Sequence, residues 1–144
     1  MTALGIDFMR RLSLALVAAL ATVLAASEAS ATAGMVCEAL DKSGAVVEMN
    51  LPRSPGIVPN WVMISTPGAD FSTKGAEGGV TALSILQSFE DDNSFAVDLS
   101  EDMLNPAIKL RLLIAEEGDE LPVYIGYLQV VGQGVYPISC TEDE

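Results

Sequence analysis

Short runs in which every second residue is hydrophobic recur along most of the chain, and they constrain its fold more than any other feature. In residues 108–114 the alternate positions hold only Ile or Leu, and Phe95, Val97 and Leu99 alternate with Ala96 and Asp98. A period of two places such residues on one face of a β-strand. The pattern therefore predicts strands that each bury one face.

Clusters of turn-forming residues separate these runs, as at 41–44 (DKSG), 90–93 (EDDN) and 132–134 (GQG). Gly, Asn, Asp and Ser favour tight turns, so several neighbouring runs are expected to form hairpins. Residues 66–79 read as a long Gly-rich loop, and 101–106 as a connection that could include one helical turn begun by Ser100. The predicted strands are 36–40, 45–51, 61–65, 80–89, 94–100, 108–115, 121–131 and 135–141.

These eight or so short strands, without a convincing internal helix, predict an all-β domain. The expected architecture is a small antiparallel β-sandwich or barrel. Residues 80–89 fit either a strand or a helix, because Leu83 and Leu86 also suit a helical face. The turn that follows it, with the alternating run after that turn, favours a hairpin.

The N-terminal region has the layout of a cleavable signal peptide. Arg10 and Arg11 precede the continuous apolar run 12–26, and small residues then lead to Ala31-Thr32-Ala33. Charge, apolar core and an A-x-A site occur in the order that export requires. An apolar run of 15 residues is short for a bilayer core, which needs about 20. We therefore predict a signal peptide over 1–33, with cleavage after Ala33 or after Ala31, and a mature domain over 34–144.

The sequence contains two cysteines, Cys37 and Cys140, near the two ends of the predicted mature domain. An even number of cysteines in an exported chain favours a disulfide, and the absence of a C-x-x-C motif weighs against a redox pair. A Cys37–Cys140 bridge closes a loop of about 104 residues, for which loop entropy suggests about 4–5 kcal/mol. The first and last strands must then lie close together.

Composition excludes several kinds of function. The formal net charge is −13, and residues 1–33 hold two acidic and two basic residues, so the mature domain carries the same charge. An acidic surface repels nucleic acid and anionic lipid, and no second apolar stretch predicts stable membrane insertion after cleavage. The chain has no His, which excludes Ser-His-Asp and Cys-His catalysis and His-ligated zinc. No motif indicates a cofactor.

Acidic residues gather in four places: 90–92, Asp98 with 101–102, 116–120 and 142–144. None has the spacing of an EF-hand loop, so solvated turns and a tail are the expected roles. If calcium binds, Asp91, Asp92 and Asn93 are the first candidates as ligands. A carboxylate pair serving glycoside hydrolysis is the enzymatic alternative, although a domain of this size offers little room for a sugar cleft.

Candidate binding residues come from the large aromatic side chains and from the Gly-rich loop. Trp61, Phe71 and Lys74 lie in or near this loop, and flexible loops carry recognition on rigid β scaffolds. Tyr124 and Tyr127 fall on opposite faces of one predicted strand, so at least one is expected to be exposed. The competing interpretation is that each of these residues packs at the edge of the core.

Together these features predict an exported, soluble, non-enzymatic binding or interaction module, periplasmic or secreted, whose partner is a protein or another envelope component. The alternatives are a carboxylate-dependent hydrolase and a calcium-stabilised structural protein of the envelope.

Overall fold

The structure is a computed structural model that describes residues 32–52, 58–116, 118 and 121–143. It is all-β, as the alternating pattern predicts. Ten strands follow one another: β1 Thr32–Ala39, β2 Val46–Pro52, β3 Trp61–Ser65, β4 Asp70–Ser72, β5 Thr81–Ala82, β6 Ser84–Asp91, β7 Ser94–Ser100, β8 Ile108–Ala115, β9 Val123–Val130 and β10 Gly134–Asp143. No helix long and apolar enough to cross a membrane occurs among the residues that the structure describes.

All ten strands belong to one sheet, in the order β5-β4-β3-β2-β1-β10-β9-β8-β7-β6. Neighbouring strands are antiparallel except β4 and β5, which are parallel. The two edge strands of this order, β5 and β6, are separated in the chain by Leu83 alone. Since consecutive Cα atoms are about 3.8 Å apart, the two edges must meet, and the sheet curls into a nearly closed, barrel-like form.

The inward face of this curled sheet is the hydrophobic core. The alternation in the sequence accounts for it, because the same residues that alternate along each strand are buried. Aliphatic and aromatic residues from the long strands fill the interior, among them Met35, Val47, Met49, Val62, Ile64, Phe95, Val97, Leu99, Ile108, Leu110, Leu112, Leu128 and Ile138.

The disulfide predicted from the two cysteines is present between β1 and β10. Cys37 and Cys140 are directly opposite one another in the antiparallel register, with Cα atoms 3.9 Å apart and a sequence separation of 103. Both cysteines are buried in the core. The bond joins the first strand to the last, and it is consistent with a protein outside the cytoplasm.

Gly126 shows how tightly β8 and β9 approach one another. It lies opposite Leu112, and a Cβ placed on it would stand 1.9 Å from the carbonyl oxygen of Arg111. No side chain fits this space, so a glycine is required where the two backbones pack closely.

Three expectations need correction. The predicted loop 66–79 contains the short strand β4, and the predicted strand 80–89 is divided into β5 and β6. Residues 101–106 form bends rather than a helical turn, because the Asp102 side chain accepts hydrogen bonds from the backbone N–H groups of this connection.

The predicted signal peptide lies outside the described residues over 1–31, while residues 32 and 33 belong to β1.

Candidate functional site

Antiparallel connectivity brings three of the four acidic groups to one end of the sheet. The β6–β7 turn, the end of β8 and the end of β10 all lie at this end, because successive antiparallel strands turn at alternate ends. The acidic residues whose side chains the structure describes at this end are Glu90, Asp91, Asp92, Glu116 and Glu142. We call it the acidic end.

A cavity of about 130 Å³ opens at the acidic end. Its apolar lining, which we call the floor, comes from β1, β2 and β7, and its polar lining, which we call the wall, comes from β6, β9 and β10. The floor residues are Ala33, Met35, Leu51, Pro52 and Phe95, and the wall residues are Glu90, Tyr124 and Glu142. We call this cavity the acidic pocket.

Tyr124 and Glu142 are joined by a hydrogen bond, in which the tyrosine hydroxyl donates to the glutamate Oε1. Burial raises the pKa of the Tyr124 phenol well above its ordinary value, and the bond to Glu142 and the charges of Glu142, Glu90 and Glu116 raise it further. The phenol therefore stays protonated. It orients Glu142 at the wall of the pocket.

Glu90 is the second carboxyl of the pocket. Burial raises its pKa, and the neighbouring charge of Glu142 raises it further. A cation beside the two carboxyls would offset the repulsion that the charge of Glu142 exerts on the ionised form of Glu90. Among the described residues, neither Glu90 nor Glu142 forms an ion pair with a Lys or Arg.

The volume of the pocket limits what it can hold. Sites for drug-sized ligands measure about 300–1,000 Å³, whereas an engineered cavity of about 150 Å³ holds one benzene. A cavity of about 130 Å³ therefore suits a single side chain or a small amine. Its floor residues offer apolar contact, and Glu90 and Glu142 offer negative charge.

The ion pair of the described residues is elsewhere, on the outer face of β7 and β8. Asp98 is buried, with 3% of its surface exposed, although it points away from the core. Arg111 Nη2 lies 2.7 Å from Asp98 Oδ1 as a charge pair without directed hydrogen-bond geometry, and Gln87 Nε2 donates to Oδ2. The Arg111 Nη1 atom donates to the backbone oxygens of Val97 and Leu110 at 3.2 and 2.7 Å. This network fixes the strands rather than leaving a charge for a ligand.

The predicted binding residues do not form one surface. The Lys74 ammonium lies 3.6 Å from the centre of the Trp61 ring, so these two meet in a cation–π contact. Phe71 is buried in the core. Tyr124 and Tyr127 do lie on opposite faces of β9: Tyr124 borders the acidic pocket and Tyr127 is exposed on the outer face.

The residues weighed as calcium ligands stabilise their own turn. Asp91 Oδ1 accepts hydrogen bonds from the Asn93 backbone N–H and the Ser94 hydroxyl, both at 2.9 Å, and these bonds lower the Asp91 pKa. Within the described ranges no group of three or more His, Cys, Asp or Glu residues is placed to hold a metal ion.

A larger hollow of about 280 Å³ lies outside the core on β2, β3 and β4, where Val46, Met63 and Val80 form an apolar lining. Its carboxylate Asp70 accepts a hydrogen bond from Ser65. The hollow also has a second carboxyl, Glu48, in its lining. The acidic pocket differs from it in being smaller and in placing its two carboxyls close enough for Glu142 to raise the pKa of Glu90.

Sequence reasoning missed Glu90 and Glu142 as members of one site. The sequence did contain a signal for this site. Successive antiparallel strands turn at alternate ends of a sheet, so the predicted strands place residues 90–92, 116–120 and 142–144 at the same end. No family model, curated protein or solved structure matches the chain. The chemistry of the pocket is therefore the basis on which we propose a function below.

Proposed function

We propose that this protein is an exported, non-enzymatic binding module that captures a basic side chain of a partner polypeptide in the acidic pocket. The observation that carries the proposal is the placement of Glu90 and Glu142 beside an apolar floor without a basic partner among the described residues. A lysine or arginine side chain matches this lining, since its alkyl stem packs on apolar surface and its charged head reaches the carboxylates.

The charge of the whole molecule supports the same partner. A net charge of −13 attracts basic polypeptides over a distance of several ångströms and raises their association rate. The acidic end concentrates this field at the mouth of the pocket, so a basic segment is steered toward the site that holds it.

Binding without catalysis is supported by the composition of the wall. The chain contains no His, and the Tyr124 hydroxyl is occupied in a hydrogen bond to Glu142. A phenol whose pKa is raised well above its ordinary value makes a poor nucleophile or base at neutral pH. The disulfide and the predicted signal peptide support a periplasmic or secreted location, with cleavage near Ala33.

A titration with n-butylammonium tests the proposal, with n-butanol as the neutral probe of similar shape. Backbone amide NMR shifts are followed in the wild type and in the Glu90→Gln/Glu142→Gln double variant. We expect saturable shifts at Met35, Phe95 and Tyr124 with butylammonium only, and a Kd at least tenfold higher in the double variant.

The matched control is Glu38→Gln/Glu48→Gln, which removes the same charge from exposed positions on β1 and β2. It should leave the Kd within about twofold of wild type, because a distant exposed charge is largely screened at physiological salt. Equal shifts with butanol, or an equal loss of affinity in both double variants, would show that the pocket does not recognise a cation.

A further inference from the structure

An apolar strip crosses the outer face of β8 and β9, where solvent rather than core faces the side chains. It consists of Leu113, Ala115, Val123, Ile125 and Tyr127. The exposed fractions are 65% for Leu113, 59% for Val123 and 47% for Ile125. Contiguous exposed apolar side chains are rare on monomeric proteins and mark interaction sites.

The register makes these residues one surface. Leu113 lies opposite Ile125, Ala115 lies opposite Val123, and Tyr127 lies opposite Arg111, whose guanidinium is turned toward Asp98. Four residue steps along a strand span about 13 Å, which matches about two and a half turns of an α-helix. The strip is therefore long enough to receive the apolar face of a short helix.

The strip leads directly into the acidic end. Ala115 and Val123 are its last pair, Glu116 follows Ala115 in the chain, and Tyr124 of the acidic pocket follows Val123. A segment lying along the strip with its end at Glu116 thus brings that end next to the pocket carboxylates. The outer apolar strip and the inward-facing pocket therefore meet at the rim of the acidic end, beside Glu116.

We infer that the apolar strip and the acidic pocket together bind a cationic amphipathic helix of a partner polypeptide. This rests on the proposed function of the pocket and adds the form of the ligand. The helix places its apolar residues at i, i+3, i+4 and i+7 on the strip, and its basic end reaches Glu90 and Glu142. Charge complementarity favours this occupant over a second copy, which carries the same net charge of −13.

The experiment compares two fluorescein-labelled peptides of equal composition. One is an 18-residue Leu/Lys sequence with helical amphipathic spacing, and the other is its scrambled form without that spacing. Binding to the wild type is measured by fluorescence anisotropy at 150 mM salt. We expect the amphipathic peptide to bind at least tenfold more tightly than the scrambled peptide.

The test variant is Leu113→Thr/Ile125→Thr, since threonine keeps strand propensity while removing apolar contact. It should lose the tenfold preference and keep the wild-type Kd for butylammonium. The matched control is Leu40→Thr/Val131→Thr, two exposed apolar residues in turns at the other end of the sheet. It should keep the preference, and circular dichroism should show the same fold in all three proteins.

The outcomes separate the two proposals. An unchanged peptide preference in the strip variant, with butylammonium still bound, would overturn the inference and leave the pocket's function standing. A wild type that sediments as a dimer, with a monomeric strip variant, would show self-association and would also overturn it. If the wild type does not bind butylammonium, the proposed function of the pocket itself is overturned.

Discussion

At the end of the sheet opposite the pocket, carboxylates accept hydrogen bonds from the turns in which they stand, whereas the pocket carboxyls lie beside one another. Asp102 Oδ1 accepts bonds from the Leu104 and Asn105 backbone N–H groups at 2.8 and 2.9 Å and from the Ser100 hydroxyl at 2.8 Å. These bonds lower the Asp102 pKa, while burial and Glu142 raise the pKa of Glu90.

The opposite end is also tied together across its turns. The Thr66 hydroxyl lies 2.9 Å from the Gln133 Oε1 atom and donates a hydrogen bond to it, which links the β3–β4 turn to the β9–β10 turn. At the acidic end, Asp91 supports its own turn but Glu90 and Glu142 face a cavity. The difference teaches that acidic side chains have separate roles according to their position: Asp102 and Asp91 stabilise turns, whereas Glu90 and Glu142 line a cavity.

The largest expected effect comes from removing the disulfide. Cys37→Ala/Cys140→Ala should lower the free energy of unfolding by about 4–5 kcal/mol, because a loop of about 100 residues is no longer closed in the unfolded chain. We also expect the two ends of the sheet to respond differently. The amide exchange rate should increase more at Tyr124 and Thr141, near the acidic end, than at Ala107 and Val131, at the opposite end. Urea denaturation and hydrogen exchange measure both. Wild type in reducing agent is the control, and equal increases in amide exchange at both ends would contradict the expectation that loss of the disulfide affects the acidic end more.

A smaller loss of folding stability is expected from Asp98→Asn. This buried carboxylate forms an ion pair with Arg111, whereas Glu90 and Glu142 form none among the described residues. The variant leaves Arg111 without its charge partner and should cost about 2–3 kcal/mol in urea denaturation. Asp92→Asn, at an exposed turn position, serves as the control and should change stability by less than about 0.5 kcal/mol. Equal effects of the two variants would contradict the role of Asp98 in fixing β7 to β8.

Asp102→Ala tests the opposite end through pH. A lowered pKa means that the carboxylate stabilises the folded state above its ordinary value of 3.8, and that this stabilisation is lost as pH falls through the folded-state pKa. The variant should therefore melt at a lower temperature than wild type at pH 7, with the difference shrinking below about pH 3.8. Thermal melts followed by circular dichroism measure this, and a difference independent of pH would contradict it.

Glu90→Gln should give the smallest change in folding stability, and it should stabilise the protein where the preceding variants destabilise it. A raised pKa means that the charged carboxylate destabilises the folded state above its pKa, and that stability is gained as pH falls toward the ordinary value of 4.5. The variant should be slightly more stable than wild type at pH 7, by well under about 1 kcal/mol since the group is partly exposed, and equal to it below about pH 4.5. Glu38→Gln is the control, and a less stable Glu90→Gln at pH 7 would reverse the comparison.

The core could be read from the sequence because it follows from local alternation. Phe95, Val97 and Leu99 are buried as their spacing predicts, and the pairing of Cys37 with Cys140 follows from there being two cysteines. The opposite orientations of Tyr124 and Tyr127 follow from their odd separation.

The site could not be read in the same way because it depends on how the sheet curls. The burial of Asp98 requires knowing that Gln87 and Arg111 lie beside it, and the parallel pairing of β5 depends on closure at Leu83. Gly126 carries no signal of its own in the sequence, since only the approach of the Arg111 backbone shows why a side chain is excluded.

The pairing of β1 with β10 has a consequence for biosynthesis. A chain made from its N-terminus exposes β1 early, but one edge of that strand lacks its partner until β10 has been synthesised. An external thiol oxidant likewise cannot join Cys37 to its native partner until Cys140 emerges. The bridged species in a pulse-chase experiment should therefore appear only after β10 has been synthesised, and shorter nascent chains should keep the Cys37 thiol reactive toward an alkylating agent.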